Sequence, residues 1–140
     1  MTDLEALSLV IYGESRGEVI EGKLGVAAAI RNRVLEEYRG AKSYLEVCTA
    51  HAQFSAWTEE AASMADAKAR MESSSRHIDD PTLDLCQQIA AATIAGTLPD
   101  CTKGATHYIT TELYHRAPPS WARNATPLCT LGNQTFFHVS

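Results

Sequence analysis

The 140-residue chain has no stretch approaching the ~18–20 consecutive apolar residues needed to span a membrane. Its opening, MTDLEALSLVIYGESRGE, lacks the basic segment that begins a secretory signal. The sequence therefore predicts no stable membrane insertion and synthesis in the cytoplasm; a role outside it would need another agent to deliver the protein. An excess of basic residues is also missing: the formal net charge is -5, which argues against a nucleic-acid partner, since phosphates are met by a basic face. Four cysteines, at 48, 86, 101 and 129, form no CxxC pair and no histidine-spaced zinc motif. HExxH spacing is absent, so no metal and no organic cofactor are expected. There is no G-x-S-x-G elbow and no alternating α/β pattern to support a serine triad, and Cys48 with His51 lacks an orienting third group. Repeats and low-complexity linkers are lacking too, so residues 1–140 are read as one domain.

What is present is mostly helical periodicity. Leu4, Leu7, Val10 and Ile11 recur at helical spacing behind Thr2 and Asp3, either of which can cap a first helix, and the apolar face ends where Gly13 and Gly17 begin. Leu24, Ala27, Ala28, Arg31, Val34 and Leu35 mark a second helix, whose alanine-rich face permits close packing and identifies it as the central one. Strong helix formers run from Glu59 to Met71. Another helix starts at Pro81 and stops at Gly96. Beyond Pro99 the character changes: Thr106–Thr110 and Thr135–Val139 read as extended segments, with a turn at Leu131-Gly132-Asn133. The predicted class is α+β, predominantly α-helical, with a small β element near the carboxyl end. Cys101 and Cys129 bracket a Gly-, Pro- and Trp-containing stretch and are the better disulfide candidates; buried free thiols are the alternative.

Three clusters hold groups suited to chemistry. In Tyr12-Gly13-Glu14-Ser15-Arg16-Gly17-Glu18, a carboxylic acid packed against Tyr12 and the helical core would have its pKa raised by desolvation, as a general acid requires. The plainer reading is a solvated helix end, with Glu14 and Glu18 paired to Arg16 or Lys23. In Gln53-Phe54-Ser55-Ala56-Trp57, an amide and a hydroxyl stand beside two aromatics, the make-up of a sugar subsite or of a loop anchored in the core. In Gly104-Ala105-Thr106-His107-Tyr108, His107 can orient a carboxylate or bind substrate, or sit satisfied and neutral in the core. Tyr108 can donate its hydroxyl to a reacting group.

These clusters carry a resemblance. YGESRGE, the segment Gly25–Val34 (GVAAAIRNRV), Gln53-Phe54-Ser55-Ala56-Trp57, Gly104–Tyr108 and Leu131–Phe137 (LGNQTFF) follow in the order and spacing of the SleB/CwlJ family of cell-wall hydrolases, which includes spore-cortex-lytic enzymes and phage relatives. The sequence departs from the family pattern at Ala52, where a glycine is usual, and between Trp57 and Pro81, which is unusually rich in charge and serine. The resemblance implies a fold similar to lysozyme and lytic transglycosylases, and peptidoglycan glycan strands as the partner. It assigns Glu14 as catalytic acid, with Glu18, Gln53, Ser55, Trp57, His107 and Tyr108 lining or supporting the cleft.

The implied reaction is cleavage of the β-1,4 bond between N-acetylmuramic acid and N-acetylglucosamine. A two-carboxylate glycosidase needs a second acid across the sugar, and no motif-quality aspartate accompanies the cleft blocks. This favours the lytic transglycosylase route, ending in 1,6-anhydromuramic acid. The alternatives are a hydrolytic muramidase, with Glu18, Asp66 or Asp84 handling water, and a non-catalytic peptidoglycan-binding module. A monomer is expected of an enzyme that penetrates a polymer network.

Overall fold

The computed structural model describes residues 1–15, 17–50 and 81–140. Helix α1 spans Asp3–Ser15. Its start is a reciprocal cap: the Glu5 N–H donates to Thr2 Oγ1 at 3.1 Å and the Thr2 N–H donates to Glu5 Oε1 at 3.0 Å. Of the two capping candidates Thr2 does the capping, while Asp3 Oδ1 accepts from the Leu45 N–H at 2.9 Å and ties α1 to the start of α3 (Tyr44–Thr49). The helix runs through Gly13, past the point where the apolar pattern ends. Burial of an unbroken run from Ala6 to Tyr12 outweighs the small cost of one helical glycine.

Helix α2 spans Ile20–Leu35, starting four residues before the first apolar position of the sequence pattern. It contacts α1, α3, the sheet and α4 (Pro81–Ala95), so it is central as the alanine-rich pattern predicts, with Ala27, Ala28 and Ala29 all buried. At Gly25 the close approach is tight enough that a Cβ would overlap the Phe136 ring. Helix α4 begins at Pro81, as expected from a residue that needs no intrahelical N–H partner there. It ends in a left-handed Gly96 (φ 75°), with the Gly96 N–H donating to Thr93 O at 3.1 Å and the Thr97 N–H to Ala92 O at 3.0 Å.

The remainder forms a three-stranded antiparallel sheet in the order β1-β3-β2, from β1 (His107–Thr110), β2 (Pro127–Leu131) and β3 (Gln134–Phe137). The two extended segments read from the sequence correspond to β1 and β3, and they pair with each other, Tyr108 opposite Phe136 and Thr110 opposite Gln134. Strand β2 was not legible: it begins at a proline, carries a bulge between Pro127 and Cys129, and lies at the sheet edge, where both are tolerated. Two short helices, α5 (Thr111–Arg116) and α6 (Ser120–Arg123), fill the connection from β1 to β2. The main core lies among α1, α2, α3 and α4, and a smaller cluster of Ala29, Ala105 and Phe136 joins α2 to the sheet. Among the described residues no helix is long and apolar enough to cross a membrane.

Candidate active site

Glu14 sits in the last turn of α1, half-buried, two residues after the buried Tyr12. The end of that helix is held from below. Ser15 Oγ donates back to Ile11 O at 2.5 Å, and the ammonium of Lys23, only 4% exposed, donates to Ser15 O at 2.8 Å and to Glu18 O at 2.5 Å. A buried cation on the terminal carbonyls satisfies groups that have no intrahelical partner and opposes the negative end of the helix dipole. Lys23 thus supports the turn through its backbone.

Glu18 braces the same turn from the other side. Its Oε1 accepts from the Asn133 N–H at 2.8 Å, linking the α1–α2 connection to the β2–β3 turn across 115 residues of sequence. Two glycines make room for it. A Cβ at Gly132 (φ 59°) would lie 2.7 Å from Glu18 Oε1, and a Cβ at Gly22 would lie 2.9 Å from Glu18 Cβ.

Tyr108 is brought to Glu14 by β1. Its ring packs on Phe136 at a centroid distance of 5.9 Å, and its hydroxyl is buried without a hydrogen-bond partner among the described residues. Burial first, and then the charge of Glu14, push this hydroxyl well above the ordinary tyrosine value, with Arg33 acting in the opposite direction. Glu14 and Tyr108 are therefore within electrostatic reach of each other. Gln134 lies on the same sheet face, two residues before Phe136, and its Oε1 is likewise buried and unpartnered among the described residues. A buried oxygen left without a partner costs ~1–3 kcal/mol. Both oxygens lie on the sheet face that bears Phe136, and the Tyr108 hydroxyl is the one within electrostatic reach of the half-buried Glu14. The sequence pattern did not single out Gln134, because an amide ahead of an aromatic pair carries no distinctive signal.

His107 is one residue from Tyr108 and therefore projects from the opposite face of β1. It is 8% exposed, with Nε2 3.1 Å from Tyr38 Oη and Nδ1 3.0 Å from Thr106 Oγ1, and its ring lies between those of Tyr38 and Trp121. One assignment satisfies every atom: Thr106 Oγ1 donates to Val139 O at 3.1 Å, His107 Nδ1–H donates to Thr106, and Tyr38 donates to Nε2. Burial, followed by the charges of Arg33, Arg39 and His138, lowers its pKa to about 4. The structure does not bring His107 together with Glu14 and Tyr108; it packs as a neutral ring that anchors β1.

The approach to β1 is fixed by α2. Asn32 Nδ2 donates to Ala105 O at 2.8 Å and to Asp100 Oδ2 at 2.9 Å, and Arg33, 5% exposed, donates from Nε to Thr106 O at 2.5 Å. Asp100 also accepts from the Thr102 N–H (2.7 Å), the Thr102 hydroxyl (2.6 Å) and the Gly104 N–H (2.9 Å). Burial works against its charge, but these bonds outweigh it and hold the carboxyl below its ordinary value. Among the described residues no cluster of three or more His, Cys, Asp or Glu side chains is placed to hold a metal. Gln53, Ser55 and Trp57, the second predicted cluster, lie outside the described residues.

The family profile described as Cell Wall Hydrolase matches residues 17–137 of the chain, starting three residues after Glu14. No curated protein sequence is significantly similar. Two solved structures are. The catalytic domain of the Bacillus cereus SleB protein superposes with a TM-score of 0.67 at 24% identity, covering 96% of this chain and 88% of that one. The catalytic domain of the germination-specific lytic transglycosylase SleB from Bacillus anthracis does so with a TM-score of 0.68 at 24% identity, covering 96% and 93%. The fold is accordingly the mostly helical, lysozyme-like one, with its small three-stranded sheet.

Proposed function

Because the chain belongs to the cell wall hydrolase family, and is thereby a peptidoglycan-degrading enzyme, we propose that it cleaves the β-1,4 bond between N-acetylmuramic acid and N-acetylglucosamine as a lytic transglycosylase, with Glu14 as its acid. The observation that carries this reading is the placement of Glu14 at the end of α1 within electrostatic reach of the buried Tyr108 hydroxyl, which has no hydrogen-bond partner among the described residues. The likeness to the Bacillus anthracis protein, a germination-specific lytic transglycosylase, supports the same reaction.

Glu14 in its acid form protonates the glycosidic oxygen as positive charge develops at C1 of the muramic acid. The glucosamine end departs, and the resulting Glu14 carboxylate takes the proton from the muramic acid 6-hydroxyl. That oxygen then closes on C1 to give the 1,6-anhydro sugar. One carboxyl group serves first as acid and then as base, so no second carboxylate is needed. The Tyr108 hydroxyl is suited to stabilising the ionised form of Glu14 between the two steps, since a neutral donor near a carboxylate favours its charge. Glu18 supports this route rather than hydrolysis: one of its oxygens is committed to the Asn133 N–H, so it acts as a brace.

The test is mass spectrometry of muropeptides released from purified peptidoglycan, with the wild type beside Glu14→Gln. The expected products are muramic acid ends one water lighter than hydrolytic ends. The variant should release them ~10²–10⁴-fold more slowly, the usual contribution of a positioned acid and base. Ordinary reducing ends would replace the transglycosylase reading with a muramidase. Cleavage undiminished in Glu14→Gln would remove Glu14 from the mechanism, and no glycan product from folded wild type would leave a binding module.

A further inference from the structure

Cys101 and Cys129 meet in the folded protein. Cys129 Sγ, on the edge strand β2, points at the loop between α4 and β1, 3.9 Å from Cys101 O and 3.8 Å from Thr102 O. One thiol is exposed and the other half-buried, and each stands within electrostatic reach of the other. The remaining two cysteines, Cys48 and Cys86, are fully buried in the main core.

We infer that Cys101 and Cys129 form a redox-modification site, closing to a disulfide when the protein meets an oxidising, disulfide-containing environment. The loop that presents Cys101 is already fixed, with Thr102 fully buried and Asp100 holding Thr102 and Gly104, so the fold itself keeps the Cys129 thiol against the Cys101 backbone. The chemistry is thiol–disulfide exchange with a low-molecular-weight disulfide such as glutathione disulfide. The thiolate of one cysteine attacks the small disulfide, forming a mixed disulfide and expelling one small thiolate, which takes up the proton. The second cysteine, deprotonated in turn, attacks the protein-bound sulfur and expels the other. Both protein thiols are oxidised and the disulfide is reduced to two small thiols. Burial raises both cysteine pKa values, so exchange quickens at alkaline pH. The bond would close the segment between residues 101 and 129, which carries Tyr108, and staple the sheet edge to the loop leaving α4. It depends on no part of the glycan reaction.

The experiment incubates the whole protein with glutathione disulfide at mildly alkaline pH, blocks free thiols, and analyses an unreduced digest by mass spectrometry. The expected result is a cross-linked peptide joining Cys101 to Cys129 and an intact mass lower by two hydrogens, with Cys48 and Cys86 blocked only after denaturation. A melting temperature ~5–10 °C higher in the oxidised form should accompany it, the effect of closing a loop of this length. Reductant should reverse the rise, and Cys129→Ser should not show it. Recovery of Cys101 and Cys129 as separately blocked thiols, or as two glutathione adducts, would overturn the inference. So would an oxidant-dependent rise in melting temperature that persists in Cys129→Ser.

Discussion

Replacing Glu18 by alanine removes the acceptor for the Asn133 N–H and leaves the turn that follows Glu14 without this brace. We expect Glu18→Ala to lose ~1–2 kcal/mol of stability, at the lower part of the range for a charge-assisted bond because the carboxylate is partly exposed. We also expect kcat on peptidoglycan to fall with KM little changed, because Glu18 positions the turn that bears Glu14. Glu18→Gln keeps a carbonyl acceptor and should recover most of both. Thermal melts and initial-rate kinetics on the three proteins check this, and an equal loss in Glu18→Gln would mean that the charge, not the bond, matters. Of the residues around this turn, Glu14 could be proposed from the sequence because the chemistry assigned to it lies in its side chain. The role of Glu18 was not, because its partner is a backbone N–H that any residue but proline supplies. Lys23 looked like a surface partner for carboxylates, and only the packing of α2 against the end of α1 shows it buried on carbonyls.

At the scale of elements, α2 organises the candidate site, its first half meeting the end of α1 through Lys23 and its second half gripping the entry to β1 through Asn32 and Arg33. Its contact with the sheet depends on Gly25, where a methyl group has no room beside Phe136. Gly25→Ala should therefore destabilise by ~1–3 kcal/mol, as overpacking does, despite alanine's better helix propensity. A denaturant titration decides it, since a neutral or stabilising result would show that Phe136 yields easily. Helix α4 was readable because burial on one side, at Leu83, Cys86, Ile89, Ala90 and Thr93, imposes a period on its residues, whereas α1 and α2, buried over the unbroken runs 6–12 and 25–30, were readable as long apolar stretches. Strand β2 carries no such period: only Leu128, Cys129 and Leu131 are half-buried, and the bulge breaks the alternation. The short helices α5 and α6 have no buried stripe beyond Ala122, so nothing in their pattern announced them.

For the molecule as a whole, His107 gives stability a pH dependence whose sign is fixed. Its pKa is about 4 in the folded protein, against 6.5 when unperturbed. Between those values the unfolded chain binds a proton that the native ring refuses, so stability falls as pH drops through that window and levels off below it. Asp100 continues the decline at lower pH, because a carboxyl held below its ordinary value contributes stability that is lost as pH falls through its folded pKa. Melting temperatures from pH 7 to 4 should fall steadily for the wild type and less steeply, relative to its own value at pH 7, for His107→Gln. Parallel curves would mean that another group governs the slope. The brace between Glu18 and Asn133 also bears on timing during synthesis. A ribosome releases Glu14 early and Asn133 much later, so a growing chain carries the proposed acid long before the group that steadies the neighbouring turn. A stop codon before residue 133 would leave a product that retains the proposed acid and lacks the group that steadies the neighbouring turn.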